Sequence, residues 1–281
     1  MAKIPKEPEF IRSELNTPMR NYRVYYMDRM ERFTNSLIIF AAGGFCGLIF
    51  YGNQFLDQEG YATHATSVFN AIIFVIVGII AVRLILPIRQ KQLRDARIKE
   101  LTMQFRGFLS ALTVALSSGM NMTESLNSAY HDLRIQFSED AYIVEEVKEM
   151  MNGIHNGIPI ETMMASLGER SMNGDIENFG LVFSMCFRTG GNLKDVVKRT
   201  NEIIGEKITI SQEIETSLTS NKTQFNAMMV VPVILMLLLR SMSSSFASGF
   251  STPVGIAAVT VAIGMFFTAY RMGQKIMDIE G

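Results

Sequence analysis

The chain has 281 residues, 48% of them hydrophobic, with a mean hydropathy of +0.19, too apolar for a soluble domain alone. With 20 Met and 19 Phe against 7 Pro, no Trp and 3 His, helix-compatible apolar residues prevail over strand and turn formers. A net charge of -1 lacks the basic excess of a nucleic-acid binder, and Cys46 and Cys186 are too few and too far apart for a disulfide framework or paired-cysteine metal site, so both are expected as buried thiols.

In chain order, residues 1–35 read as a cytoplasmic arm. Mixed charge before the first apolar run, with no small-residue cleavage pattern after it, argues against a cleaved secretory signal. The stretch "NYRVYYMDRMERF" is expected either along the membrane surface or as a solvated leader. Apolar stretches at 36–52, 68–88, 225–239 and 254–270 approach membrane length, the third being short on its own terms. They form two transmembrane hairpins, 36–88 and 225–270, followed by a tail at 271–281. In the first span Gly43 and Gly47 make a G-x-x-x-G pair that admits a neighbouring helix closely. Arg83 and Arg240 lie near span ends, where long side chains reach the interface.

The loops set the orientation. Lys3, Lys6, Arg12, Arg20, Arg23, Arg29 and Arg32 precede the first span, and Arg89, Lys91, Arg94, Arg97 and Lys99 follow the second. The links at 53–67 and 241–253 contain no Lys or Arg, while Arg271 and Lys275 follow the fourth span. By the positive-inside rule both termini and the long middle segment are cytoplasmic.

That middle segment, 89–224, reads as an all-α bundle of six antiparallel helices, at 97–118, 123–136, 140–156, 160–169, 175–189 and 193 to about 220. Phe105, Phe108, Leu109, Leu112 and Leu116 share one stripe, as do Val144, Val147, Met151 and Ile154, and Val196, Val197, Ile203 and Ile204. Glycine punctuation repeats: "GMNMTESL" from Gly119, "GIPIETMM" from Gly157 and "GGNLKDVV" from Gly190 share Gly, then Asn or Pro two residues on. Gly closes one helix in the left-handed conformation, with Gly190 or Gly191 serving in the third turn. Asn121, Pro159 and Asn192 then open the next helix. No Pro or Gly interrupts 206–229, so the sixth helix is expected to run into the third span.

Arg188, Lys194, Lys198 and Arg199 crowd the third turn, and Glu139, Asp140, Glu145, Glu146 and Glu149 oppose them in sign, so both sets are candidates for partner docking. Phosphate-binding loops, nucleophile elbows and metal-ligand spacings are missing, and His64, His131 and His155 are scattered, so no enzymatic activity, cofactor or metal is expected.

The elements "FLSALTVALSSGMNMTESL", "NGIPIETMMASLGERS" and above all "RTGGNLKDVVKRTNEIIGEK", running into an apolar helix, resemble the type II secretion system F domain, nearest to Tad (Flp) pilus assembly proteins of the TadB and TadC type. The resemblance spans about residues 101–239. It implies an inner-membrane platform whose cytoplasmic domain engages a secretion ATPase and whose spans guide pilin subunits into a filament. A single copy of the domain implies pairing with a second F-domain chain or with itself. Where larger relatives show Gly-Glu before the turn, this chain has Phe187 and Arg188, so a contact through that acid does not carry over. The other function classes the sequence leaves open are a four-span transporter or channel with a regulatory helical domain, disfavoured by the lack of an acidic ion path, and a membrane sensor using the short link at 53–67.

Overall fold

The structure, a computed structural model, describes residues 7–52, 63–242 and 252–277. Among these the chain is helical apart from two short strands, β1 (Phe10–Arg12) and β2 (Pro18–Arg20), paired antiparallel with Ile11 opposite Met19. The helices are α1 (Arg29–Tyr51), α2 (His64–Ser117), α3 (Met122–Gln136), α4 (Tyr142–His155), α5 (Ile160–Ser171), α6 (Gly174–Thr189), α7 (Leu193–Met242) and α8 (Pro253–Met277). They fall into two units, one of residues 1–26 with 90–210, the other of 27–89 with 211–281.

In the second unit, three helices among the described residues are long and apolar enough to cross a membrane: Arg29–Tyr51, part of His64–Ser117, and Val254–Gly273. Thr223–Leu238, within α7, is apolar but shorter. Outward residues of the apolar part of α2, including Ile72, Val75, Ile76, Ile79 and Ile80, are exposed, as expected of a helix apolar on every side. A Cβ on Gly43 would lie 2.5 Å from the Ala81 Cβ, and one on Gly47 would lie 3.0 Å from Val77, so both glycines admit α2 against α1. Phe74 meets Phe40 and Phe45 edge-on, at 5.5 and 5.6 Å between ring centres. Cys46 is exposed on α1 and Cys186 only partly buried on α6, which corrects the expectation of two buried thiols. Most of the 53–67 and 241–253 links lies outside the described residues, although His64, expected in the first of them, already begins α2.

In the first unit, α2 through α7 supply one core around Phe105, Phe108, Leu133, Val147, Leu167, Phe179, Phe183 and Val197. The pairings between helices run antiparallel. Ser110 Oγ donates to Asn201 Oδ1 while Arg106 lies over Gly205, and Ser184 Oγ donates to the Glu161 carbonyl while Gly180 faces Met164. Gly168 and Gly180 let α5 and α6 approach closely, since a Cβ on either would lie 3.0 Å from backbone of the other helix.

Residues 7–26 depart from expectation. Rather than forming a solvated leader, they fold onto this helical unit. Met19, Asn21 and Tyr22 are buried there, Tyr22 at 1% exposure. The physical reason is that Tyr22 finds both an apolar seat and a partner for its hydroxyl on α4.

Candidate docking surface

Each glycine turn is built alike. Gly119, Gly157 and Gly190 have φ of +85°, +78° and +70°, a region open to glycine at no steric cost. The residue after each donates its N–H five residues back: Met120 to Ala115 O at 3.3 Å, Ile158 to Gly153 O at 2.9 Å, Gly191 to Cys186 O at 2.9 Å. These bonds cap carbonyls that a helix end would leave open. Two residues after each glycine the next helix is capped. Asn121 and Glu124 exchange side chain-to-backbone bonds at 2.9 and 3.1 Å, Pro159 opens α5, and Asn192 Oδ1 accepts from the Asp195 N–H at 3.4 Å.

Because the helices alternate in direction, the three turns fall at one end of the unit. The opposite end is where the chain enters at Gln90 and leaves at Ile210. Arg188, Lys194, Lys198 and Arg199 are all exposed at or near the turn end. Arg188 stands 3.8 Å from Glu161, itself buried in the first turn of α5, and Lys198 stands 4.0 Å from Glu202, so these charges are loosely held.

The acidic candidates do not form a matching surface. Glu139, Asp140 and Glu145 are exposed around the link from α3 to α4, away from the glycine turns, and Glu139 pairs with Arg134. Glu146 is only 2% exposed, which removes it from any solvent-facing patch.

Glu146 is instead the centre of a buried network. Its carboxylate takes two bonds from Arg170 on α5, at 2.8 and 2.6 Å, and a third from the Tyr22 hydroxyl at 3.0 Å. Arg170 also donates to the Arg20 carbonyl at 2.9 Å, and the Tyr22 N–H donates to the Arg170 carbonyl at 3.1 Å. One turn on, Glu149 accepts from Ser13 Oγ at 2.7 Å and from Thr17 Oγ1. Burial first, and then the charge and hydrogen bond of Glu146, hold the Tyr22 phenol well above the ordinary tyrosine range. Burial works to lower the Arg170 guanidinium, but the bonds and charge of Glu146, with Tyr22 and Glu149, more than offset it and keep it charged. Nothing in the sequence marks Arg170 for this role. The acids at i and i+3 among the core residues Val144, Val147 and Met150 are the one visible hint, because a carboxylate on a buried helix face needs a cation.

Residues 108–241 match the model of the family described as Type II secretion system (T2SS), protein F. These residues, a little under half of the chain, form a domain similar to that family. No curated protein and no solved structure matches the chain. The matched F domain begins inside α2, yet Leu101, Phe105 and Tyr22, which precede it, lie in the same core. The F-domain fold in this chain therefore includes residues from before the match. Beside this domain, three helices among the described residues have the length and apolar character of membrane spans, the features of a membrane protein.

Proposed function

We propose that the chain is an inner-membrane platform of a Tad-type pilus or secretion machine, crossing the membrane four times with both termini and the helical unit in the cytoplasm. Thr223–Leu238 serves as the third span, extended by neighbouring residues of α7. The platform catalyses nothing. It takes up a push or rotation from a secretion ATPase and passes it to spans that guide pilin subunits out of the bilayer, working beside a second F-domain chain or a second copy of itself.

One observation carries this reading. The F domain places three glycine turns and the exposed Arg188, Lys194, Lys198 and Arg199 at the end away from where its chain connects to the apolar helices. These exposed basic side chains offer a soluble motor a charged surface. The continuity of α7 from Leu193 to Met242 supports a mechanical role, since a single helix joins the third turn to the apolar stretch.

The test is reversal of Lys194, Lys198 and Arg199 to glutamate in the full chain. Membrane insertion should persist, while co-purification with a co-expressed secretion ATPase falls about ten-fold or more and filaments disappear. Unchanged co-purification and filaments would refute the docking surface.

A further inference from the structure

We propose that the face formed by α4 and α5 is a peptide-binding site, and that residues 7–26 are its ligand, supplied here by the chain itself. The class of ligand is an extended segment bearing an Asn-Tyr pair preceded by two hydroxyl side chains. The proposal concerns the helical unit alone and does not depend on what the glycine-turn end binds.

The segment adds Tyr22 to the edge of the helical core and otherwise meets α4 and α5 through polar contacts, the geometry of a bound peptide on a receptor. The site is complete without its occupant: Glu146 and Arg170 pair with each other from α4 and α5, so withdrawal of the segment strands neither charge. The occupant is anchored at few points. Tyr22 fills the slot at 1% exposure, stands edge-on to Tyr142 at 5.9 Å between ring centres, and donates to Glu146. Ser13 and Thr17 both reach Glu149, and the Arg23 guanidinium donates twice to the Glu169 carbonyl, at 3.2 and 3.0 Å. Much of the segment's remaining polar bonding is internal. The Asn21 side chain donates to the Pro8 carbonyl at 3.0 Å and accepts from the Arg23 N–H at 3.1 Å, and the turn between the strands closes through Asn16, at φ +62°.

The segment is thus a preformed hairpin with one deep aromatic anchor and a polar rim, the anatomy of a recognition peptide. A third fastening lies beside Gln90. Arg97 stacks over Tyr25 at 4.3 Å and approaches Glu9 at 3.8 Å, and the Gln90 amide donates to the Tyr25 carbonyl. The point where the chain leaves this unit after Tyr26 is therefore held beside the point where it returns.

The experiment uses the full chain in membranes, with trypsin cleavage after Arg20 and Arg23 reporting release of the segment. In the native chain both sites should resist. Tyr22→Phe, which keeps the ring and loses the hydroxyl, should be cut about ten-fold faster, and Tyr22→Ala faster still. A fluorescent synthetic peptide of residues 7–26 should then bind the Tyr22→Ala chain saturably and the native chain, whose slot is filled, far more weakly. The same peptide with alanine in place of tyrosine should not bind. Equal trypsin resistance of the native and Tyr22→Ala chains would overturn the anchor. A released segment with no peptide binding, or equal peptide binding to native and Tyr22→Ala chains, would overturn the receptor site.

Discussion

Arg170 and Glu146 meet through two hydrogen bonds, at 2.8 and 2.6 Å, with side-chain exposures of 9% and 3%. A charge pair this deep costs desolvation from both partners, and removing either leaves the other buried and alone. Arg170→Met should therefore lower the unfolding free energy of the helical unit by about 3–5 kcal/mol. Tyr22→Phe leaves the ion pair intact and should cost only about 1–2 kcal/mol. Denaturant unfolding of the purified protein, followed by helicity, measures both. Equal effects of the two substitutions would show that the pair is not the centre of the network.

The same network sets a pH response. Because the Tyr22 phenol is raised in the folded chain, folding binds its proton more tightly than the unfolded chain does. The stabilisation is complete below the unfolded value of 10.0 and declines as pH climbs from there through the folded value. Phenolate absorbance should show a step above the ordinary tyrosine range, and Tyr22→Phe should abolish it. Identical titration curves for the two proteins would contradict the burial of the hydroxyl.

The helix ends offer paired substitutions of opposite sign. Gly190 sits at φ +70° with open space where a Cβ would go, so Gly190→Ala meets backbone strain rather than a clash and should destabilise by about 1–2 kcal/mol. Met172 closes α5 at φ +55° with a side chain 53% exposed, so it already bears that strain. Met172→Gly should be neutral or stabilising by up to about 1 kcal/mol, because relief of strain is partly offset by the freedom glycine gives the unfolded chain. Thermal melts of the two variants shifting in the same direction would contradict the geometry of these turns.

The helical unit was legible because its signals are local. Left-handed closure needs glycine, so Gly119, Gly157 and Gly190 stand out at a fixed distance from Asn121, Pro159 and Asn192. Met172 shows the limit, since it adopts the same conformation without glycine and leaves no mark in the sequence. The place of residues 7–26 was not legible for a different reason. Tyr22 and Glu146 are 124 residues apart, and no periodicity links an extended segment to a distant helix face. A run of tyrosine and arginine reads equally as interfacial, and only Glu146, Glu149 and Arg170 in three dimensions give it another seat. Glu146 reads as a surface charge because it sits in a run of five acids from Glu139 to Glu149, three of which are exposed, and burial on α4 is set by α5 and the segment, not by α4 itself. The stretch at 225–239 is ambiguous for a third reason: inside a helix as long as α7, the sequence shows no caps where an apolar span would begin.

The most direct test of the central claim is the side of the membrane on which the glycine-turn end lies. In a chain carrying Cys46→Ser, Cys186→Ser and Lys194→Cys, the single thiol stands at that end and is read with a membrane-impermeant maleimide. The account predicts labelling in inverted inner-membrane vesicles and none in intact spheroplasts. Labelling in intact spheroplasts with none in inverted vesicles would place the F domain on the outer side, where no ATP-driven motor could reach it.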